Sequence, residues 1–305
     1  MKALRLDKVN KSYGKRVALA NMSFEVPQGA ICGLIGPNGA GKTTTMGLLG
    51  GLLRHQGGEV DILGLGEFSA EKHGGKVSLM PQDCSPSEHM SLRAILTYYA
   101  KLQGIEGGAA ALEADKRLAE VYLQDRATSK YGALSHRRRR RFSIAQALLG
   151  DPKLVMLDEP TSGLDPELVV QIRKHLAQKR GKTTLLVSSH VLSELESLCD
   201  YVVMIDEGRC VRQGSLKEVT ETDKSVRYTL STKPDLDALG VELQGCSLTW
   251  SDPILTIVAP ASQSIEETNR LCLPELLRAG AGIVGVQAGG SLEDSYMRTK
   301  NAPKA

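Results

Sequence analysis

At 305 residues the chain is long enough for one large α/β domain and a smaller appended one. Hydrophobic residues make up 41% and charged residues 24%, a mix that excludes a disordered, collagen-like or disulfide-scaffold protein. The formal net charge of +3 is too small to imply a nucleic-acid partner, yet Arg137 to Arg141 form an unbroken run of arginines without which the balance would be negative.

No apolar run reaches the roughly 18 residues that would span a bilayer, so no membrane helix is expected. The N-terminal MKALRLDKVNKSYG lacks the apolar stretch of a secretory signal. Cys32, Cys84, Cys199, Cys210, Cys246 and Cys272 are scattered without a CxxC pair, which predicts reduced thiols in a cytosolic protein rather than a metal or disulfide framework.

Taken in chain order, Val17 to Val26 contains short apolar stretches, and Ala30 to Ile35 reads as a buried strand running into a glycine-rich turn. Glu59 to Leu63 and Lys76 to Met80 are strand-like. Leu92, Ile95, Leu96, Tyr99 and Leu102 have helical spacing, and the alanine-rich segment from Ala109 to Leu123 extends that helical region. Leu154 to Leu157 and Thr184 to Ser188 are buried strands separated by a helical pattern from Glu167 to Lys179. Val202 to Ile205 and Cys210 to Gln213 predict a hairpin around Glu207-Gly208. This alternation predicts a doubly wound core that is mostly parallel. A polar linker is expected at Thr220 to Lys224. Beyond it, strands at Val226 to Leu230, Ile254 to Val258 and Ile283 to Val286, with a helix from Ile265 to Ala279 interrupted or kinked near Pro274, predict a small α+β domain.

Two motifs carry chemistry. Gly36-Pro37-Asn38-Gly39-Ala40-Gly41-Lys42-Thr43, followed by Thr44, fits GxxxxGK[ST] between a strand and a helix. Glycines let the backbone wrap an anion so that successive N–H groups point inward. Lys42 can reach the β- and γ-phosphates, Thr43 can ligate Mg²⁺, and the helix that begins near Lys42 adds its positive end. The second motif, Leu154 to Glu159, is an apolar strand ending in two acids. Standing alone it would read as a solvated acidic turn. Beside the phosphate loop, Asp158 would hold Mg²⁺ and Glu159 would polarise an attacking water.

With these motifs in place, residues 3 to about 218 resemble the ATPase subunit of an ABC transporter. The resemblance implies a P-loop NTPase cassette with a helical subdomain at about 83–131, within a nucleotide-binding domain of 1–219 and followed by an accessory α+β domain at 225–305. It implies that Tyr13 stacks on adenine, that Gln82 touches Mg²⁺ and water and links to a membrane partner, and that His190 contacts the γ-phosphate. Taken singly, Tyr13 would be a surface tyrosine and His190 a structural histidine. Ser162-Gly163-Leu164-Asp165 matches the loop that communicates across the family's dimer. The stretch Leu157 to Pro166, together with the closing Ser291-Leu292-Glu293-Asp294-Ser295-Tyr296, is similar to the ABC-2 exporter subgroup. With one phosphate loop, and too few residues between Thr43 and Asp158 for a long coiled coil, the translation-factor-like and chromosome-associated classes are disfavoured.

The departure lies at the family's glycine-rich signature, where this chain has Leu134-Ser135-His136-Arg137-Arg138. Ser135 keeps the hydroxyl that caps the helix or bonds a phosphate oxygen. Arg137 replaces the glycine that permits close approach to nucleotide. Cations in a first helical turn oppose its positive end by about 0.3–1 kcal/mol each. Arg139 to Arg141 are expected on a solvated face; a nucleic-acid patch would need interleaved aromatics, and the chain is only 4% aromatic. The resemblance implies a peripheral ATPase on the cytoplasmic face of the membrane that binds ATP and Mg²⁺. Its partners would be a second ABC ATPase subunit, as a homo- or heterodimer, and a multi-span membrane subunit, with no nucleic acid. Lys42, Gln82, Glu159 and His190 are the expected catalytic groups. A soluble or regulatory ABC ATPase without a transport role is the alternative.

Overall fold

The computed structural model describes residues 1–82, 86–221, 225–236, 239, 243, 245–260 and 263–301. Cys84, the first residues of the expected helical subdomain and residues 222–224 of the expected linker therefore lie outside the described residues. The chain divides into two compact units, Met1–Gly214 and Ser215–Ala305.

The first unit contains two sheets. Strands β1 (Lys2–Tyr13), β2 (Arg16–Pro27) and β4 (Gly57–Ile62) pair antiparallel with β1 in the middle. Strands β3 (Ile31–Ile35), β5 (Val77–Met80), β6 (Leu154–Asp158), β7 (Thr184–Ser188), β8 (Tyr201–Asp206) and β9 (Arg209–Ser215) form a second sheet in the order β5-β6-β7-β3-β8-β9. Its pairings from β5 through β8 are parallel. β3, β6 and β7 are buried at every position, which is why they read as unbroken apolar runs. One core, including Leu6, Leu19, Phe24, Leu34, Met156 and Val203, joins residues of both sheets. β8 and β9 meet at Glu207 and Gly208, both with positive φ (46° and 75°), as a two-residue hairpin turn of the primed type requires.

The strand β1 is not among the elements expected from the sequence. Its pairing with β2 is interrupted by repeated register shifts, so charged residues fall where strict alternation would place apolar ones. The helices α1 (Lys42–Leu49), α2 (Ala70–His73), α3 (Leu92–Leu102), α4 (Gly107–Glu120), α5 (His136–Ala147), α6 (Pro166–Ala177) and α7 (Leu192–Leu198) complete the first unit. α3 begins where the Ser91 hydroxyl accepts from Ala94 N–H.

The second unit opens with α8 (Leu216–Glu221), so the expected linker begins inside a helix. Strands β10 (Ser225–Leu230), β11 (Ser247–Ser251), β12 (Ile254–Val258) and β13 (Ile283–Ala288) form an antiparallel sheet in the order β11-β12-β10-β13. The helix Ile265–Arg278 runs through Pro274, so of the expected interruption or kink the interruption is absent. Ser264 and Glu267 close a capping box at its start, and Cys272 and Leu276 are buried against Tyr228 and Leu255. This tertiary burial outweighs the about 3 kcal/mol that an interior proline costs a helix. The Ser291–Asp294 stretch is likewise a helix start: Asp294 N–H donates to Ser291 Oγ at 3.1 Å and Ser291 N–H to Asp294 Oδ2 at 2.9 Å, opening the helix Leu292–Asn301. The described cysteines are free thiols, and burial pushes those of Cys210 and Cys272 up to about 11.

An ionic cluster fastens α4 to the rest of the first unit. The Arg117 side chain is 0% exposed and pairs with Glu113 at 2.7 Å, Glu120 at 2.8 Å and Asp151 at 2.8 Å. Lys179 and His175 approach Glu120 from α6 and the turn after it. Burial alone would raise the Glu120 carboxyl, but hydrogen bonds from His175 and Arg117, with the charges of Arg117 and Lys179, bring it down from 4.5 to about 2. Because the folded value lies below the unfolded one, this stabilisation is complete above pH 4.5 and drains away as pH falls towards about 2. We expect the wild-type denaturant midpoint to fall across that window. Arg117→Ala, which removes the buried partner shared by three carboxylates, should lose about 3–5 kcal/mol at neutral pH, read from chemical denaturation.

Candidate functional site

The loop between β3 and α1 is shaped by glycines at two positions where no other residue fits. A Cβ at Gly36 would lie 2.4 Å from the Ile205 carbonyl oxygen. Gly41, with φ +109°, caps α1, and a Cβ there would lie 2.8 Å from Leu19 Cδ2. Lys42 then turns inward, its Nζ donating to the carbonyls of Gly36 at 2.6 Å and Pro37 at 3.1 Å. Burial lowers its pKa, opposed by the charges of Glu159 and Asp158.

Parallel pairing brings the acids alongside. Ser188 is the register partner of both Asp158 and Leu34, so the ends of β6, β7 and β3 lie level. Thr43 Oγ1 donates to Asp158 Oδ2 at 2.8 Å, and Ser188 Oγ donates to Asp158 Oδ1 at 2.5 Å. Ser188 Oγ in turn accepts from Glu159 N–H at 2.9 Å. Glu159 sits in the left-handed region at φ 50°, which costs a non-glycine residue about 1–3 kcal/mol and persists only where its surroundings dictate it. His190 Nδ1 lies 3.5 Å from Glu159 Oε1.

These groups share one cleft of about 620 Å³, lined by Tyr13, Arg16, Ala18, Asn38, Gly39, Gly41, Lys42, Thr43, Thr44, Gln82, Asp158, Glu159 and His190. Tyr13, 47% exposed at the end of β1, carries the Lys11 ammonium 5.3 Å from its ring centroid. A half-exposed aromatic ring, a glycine loop with its buried lysine and a carboxylate pair in one cleft suit a ligand with a flat ring and a polyphosphate tail.

A family described as ABC transporter matches residues 19–162. The chain is 35% identical over 240 residues to a Nod factor export ATP-binding protein I of Burkholderia orbicola, covering 77% of this chain and 78% of that one. It is 31% identical to an uncharacterised ABC transporter ATP-binding protein of Bacillus subtilis, over 98% of this chain and 100% of that one. Among solved structures, an ATP-binding subunit of an ABC transporter superposes with a TM-score of 0.64 at 26% identity, covering 71% of this chain and 91% of that one. The chain belongs to the ATP-binding proteins of ABC transporters. The matched stretch includes the loop from Gly36 to Thr44 and the acids Asp158 and Glu159 that line the cleft.

Of the residues singled out in the sequence, Tyr13, Asn38, Gly39, Gly41, Lys42, Thr43, Thr44, Gln82, Asp158, Glu159 and His190 line this cleft; Gly36, Pro37 and Ala40 build its loop without lining it. Ser135 does not line it. It stands at the N-cap of α5 with no hydrogen bond from its side chain to the helix. Arg137, exposed beside it, forms an ion pair with Asp165 at the start of α6, which offsets its opposition to the helix dipole.

The cassette also contains functional neighbours that sequence reasoning missed. Arg16 lines the cleft, and Ser188 links the two acids. The expected solvated face of Arg139 to Arg141 is corrected outright. Arg139 donates to the carbonyls of Leu134 at 3.2 Å and Gly132 at 3.0 Å and stacks on Tyr131. Arg141 donates to the Tyr122 carbonyl at 3.1 Å, and Arg140 is buried beneath the acid pair. The physical reason is that guanidinium groups satisfy main-chain carbonyls at ends of neighbouring elements, a pairing invisible in a run of arginines.

Lys42→Ala removes the buried ammonium. We expect ATP affinity to fall about 10- to 100-fold, the equivalent of about 1.5–3 kcal/mol for a charge-assisted contact, measured by titration with a fluorescent ATP analogue.

Proposed function

We propose that this ATPase powers an ABC-2 type exporter through a separate multi-span membrane subunit, as a peripheral protein on the membrane's cytoplasmic face. The observation that carries the catalytic half is the convergence of Tyr13, Lys42, Thr43, Gln82, Asp158, Glu159 and His190 on one cleft. The transport half rests on the relative whose name states Nod factor export, and on the subgroup resemblance of Leu157 to Pro166. No helix among the described residues is long and apolar enough to cross a membrane, which suits a subunit that acts on a separate membrane partner. The helical region that ends near Tyr131 would dock that partner, and the segment 225–305, within the second unit, would be an accessory domain.

In this reading the adenine stacks on Tyr13 and the phosphates lie in the loop Gly36 to Thr44. The donor set of Asp158 carboxylate, Thr43 hydroxyl and Gln82 amide is all oxygen with a single charge. That set fits Mg²⁺, which takes one or two carboxylates and leaves its remaining positions to phosphates and water. When bound, the ion supplies charge neutralisation at the phosphates. Glu159, with its backbone pinned, holds a water in line with the γ-phosphorus and accepts its proton as the new P–O bond forms. The bond to the β-phosphate oxygen breaks, and Lys42 and His190 stabilise the charge that develops on the γ-phosphoryl oxygens. His190 lies beside Glu159, where it can follow that charge from the cleft's outer edge.

Two cassettes would close head to tail around two Mg-ATP, each offering its Ser135 region to the other's nucleotide. Arg137 stands where close backbone approach is needed, so two assemblies are possible. A heterodimer would fire this chain's phosphate loop against a partner's intact glycine signature; a homodimer would tolerate the arginine at reduced rate. The Arg137–Asp165 ion pair favours the first, because it occupies the arginine within its own chain.

Glu159→Gln should leave ATP affinity within a few-fold of wild type while lowering turnover about 10²–10⁴-fold, trapping the nucleotide. Wild-type turnover in that variant would remove Glu159 from the mechanism. In the same assay Arg137→Gly should raise the rate of the isolated chain if its own signature limits it.

A further inference from the structure

Within the arginine run, Arg140 alone is buried, at 8% exposure. Its guanidinium reaches main chain at the ends of both β5 and β6. Nε and Nη2 donate to the Glu159 carbonyl at 3.0 and 2.5 Å, Nη2 also donates to the Asp158 carbonyl at 2.7 Å, and Nη1 donates to the Gln82 carbonyl at 2.8 Å. Those three residues all line the nucleotide cleft. Arg140 lies on α5, the helix that starts at Ser135, so one side chain joins that helix to both acids and to Gln82.

We infer that Arg140 is a positioning residue for ATP hydrolysis, holding the Glu159 carboxylate in register with the attacking water by fixing the backbone beneath it. The inference rests on the reading of Glu159 as the water-orienting acid. Glu159 has a left-handed backbone at φ 50°, a conformation that its own side chain does not favour. Its N–H is held by Ser188 Oγ at 2.9 Å, and its carbonyl by Arg140 and by Ser162 N–H at 3.2 Å. Clamping both ends of one residue fixes where its side chain leaves the backbone. The bonds from Arg140 to Asp158, Glu159 and Gln82 end on main-chain carbonyls, so they set geometry while leaving the Glu159 carboxylate free to accept a proton. A lysine has the charge but a single nitrogen, and cannot reproduce a planar fork across three carbonyls.

The test is a double-mutant cycle on the purified full chain under single-turnover conditions, with ATP affinity measured in parallel. Arg140→Met should lower the hydrolysis rate about 100-fold, the scale of a 1 Å misplacement, with ATP affinity changed less than about threefold. Arg140→Lys should fall between, at about tenfold. In the Glu159→Gln background the same substitutions should cost less than about threefold further, because the carboxylate they chiefly position is already gone. Losses that multiply across the two sites, or a full-rate Arg140→Met enzyme, would overturn the proposal. If Glu159→Gln itself keeps wild-type turnover, the underlying reading of Glu159 fails instead, which separates the two failures. Should Arg140→Met not fold, the Arg140→Lys arm of the cycle decides the question in the same way.

Discussion

The cleft depends on the parallel register of β3, β7 and β6. Because Ser188 is level with Leu34 on one side and Asp158 on the other, the turn that follows β3 and the acids that end β6 emerge at one edge of the sheet. That edge carries the carboxyl ends of the strands, where open α/β sheets bind ligands. A one-residue slip would send Asp158 to the opposite face and leave Thr43 without its carboxylate partner. Side chains on both faces of these strands are removed from water, and Ser188 ties β7 to both acids at this level. The chemistry at the edge is therefore paid for by apolar packing in the middle.

What the amino-acid pattern disclosed and what it withheld follow from the same physics. The buried strands were legible as apolar runs, and the phosphate loop as glycines at fixed spacing, because each is a local requirement written in adjacent residues. β1 was not legible, since its bulges break the two-residue period on which recognition rests. The helix through Pro274 misled because local propensity counts against it while its support comes from Tyr228 and Leu255, far away in the chain. The closing Ser291–Asp294 stretch resembles a subgroup feature and proves to be a reciprocal cap, a physical reason for that residue spacing. In the cleft, Tyr13 and His190 were readable only through resemblance, and Arg16 and Ser188 were not readable, because nothing beside them in the sequence marks their role.

The arginine run shows most sharply why composition underdetermines structure. Arginine is ordinarily a surface residue, and five in succession at a helix start oppose both each other and the helix dipole. The fold answers by giving most of them a distinct acceptor. Arg137 meets Asp165, Arg139 meets the chain just before the helix, Arg141 meets the turn just past α4, and Arg140 meets the acids. Carbonyl oxygens at element ends carry the partial negative charge that the helix start lacks, so the cations become ties rather than a repulsive cluster.

That arrangement has a mechanical consequence. α5 is bound to the acid pair and to Gln82 through Arg140, and to the start of α6 through Arg137. A shift of α5 cannot occur without straining hydrogen bonds to Asp158, Glu159 and Gln82, and because these are directional the strain falls on the backbone that aims the carboxylates. The region where the chain departs from its family's glycine pattern is thus tied to the acids and Gln82 that line the cleft. Arg137 takes an ion pair with Asp165 at the helix start, while the buried arginine three residues on ties that helix to the acid pair. The net charge of +3 is the residue of this construction: a slightly acidic protein with its excess cations committed to one helix.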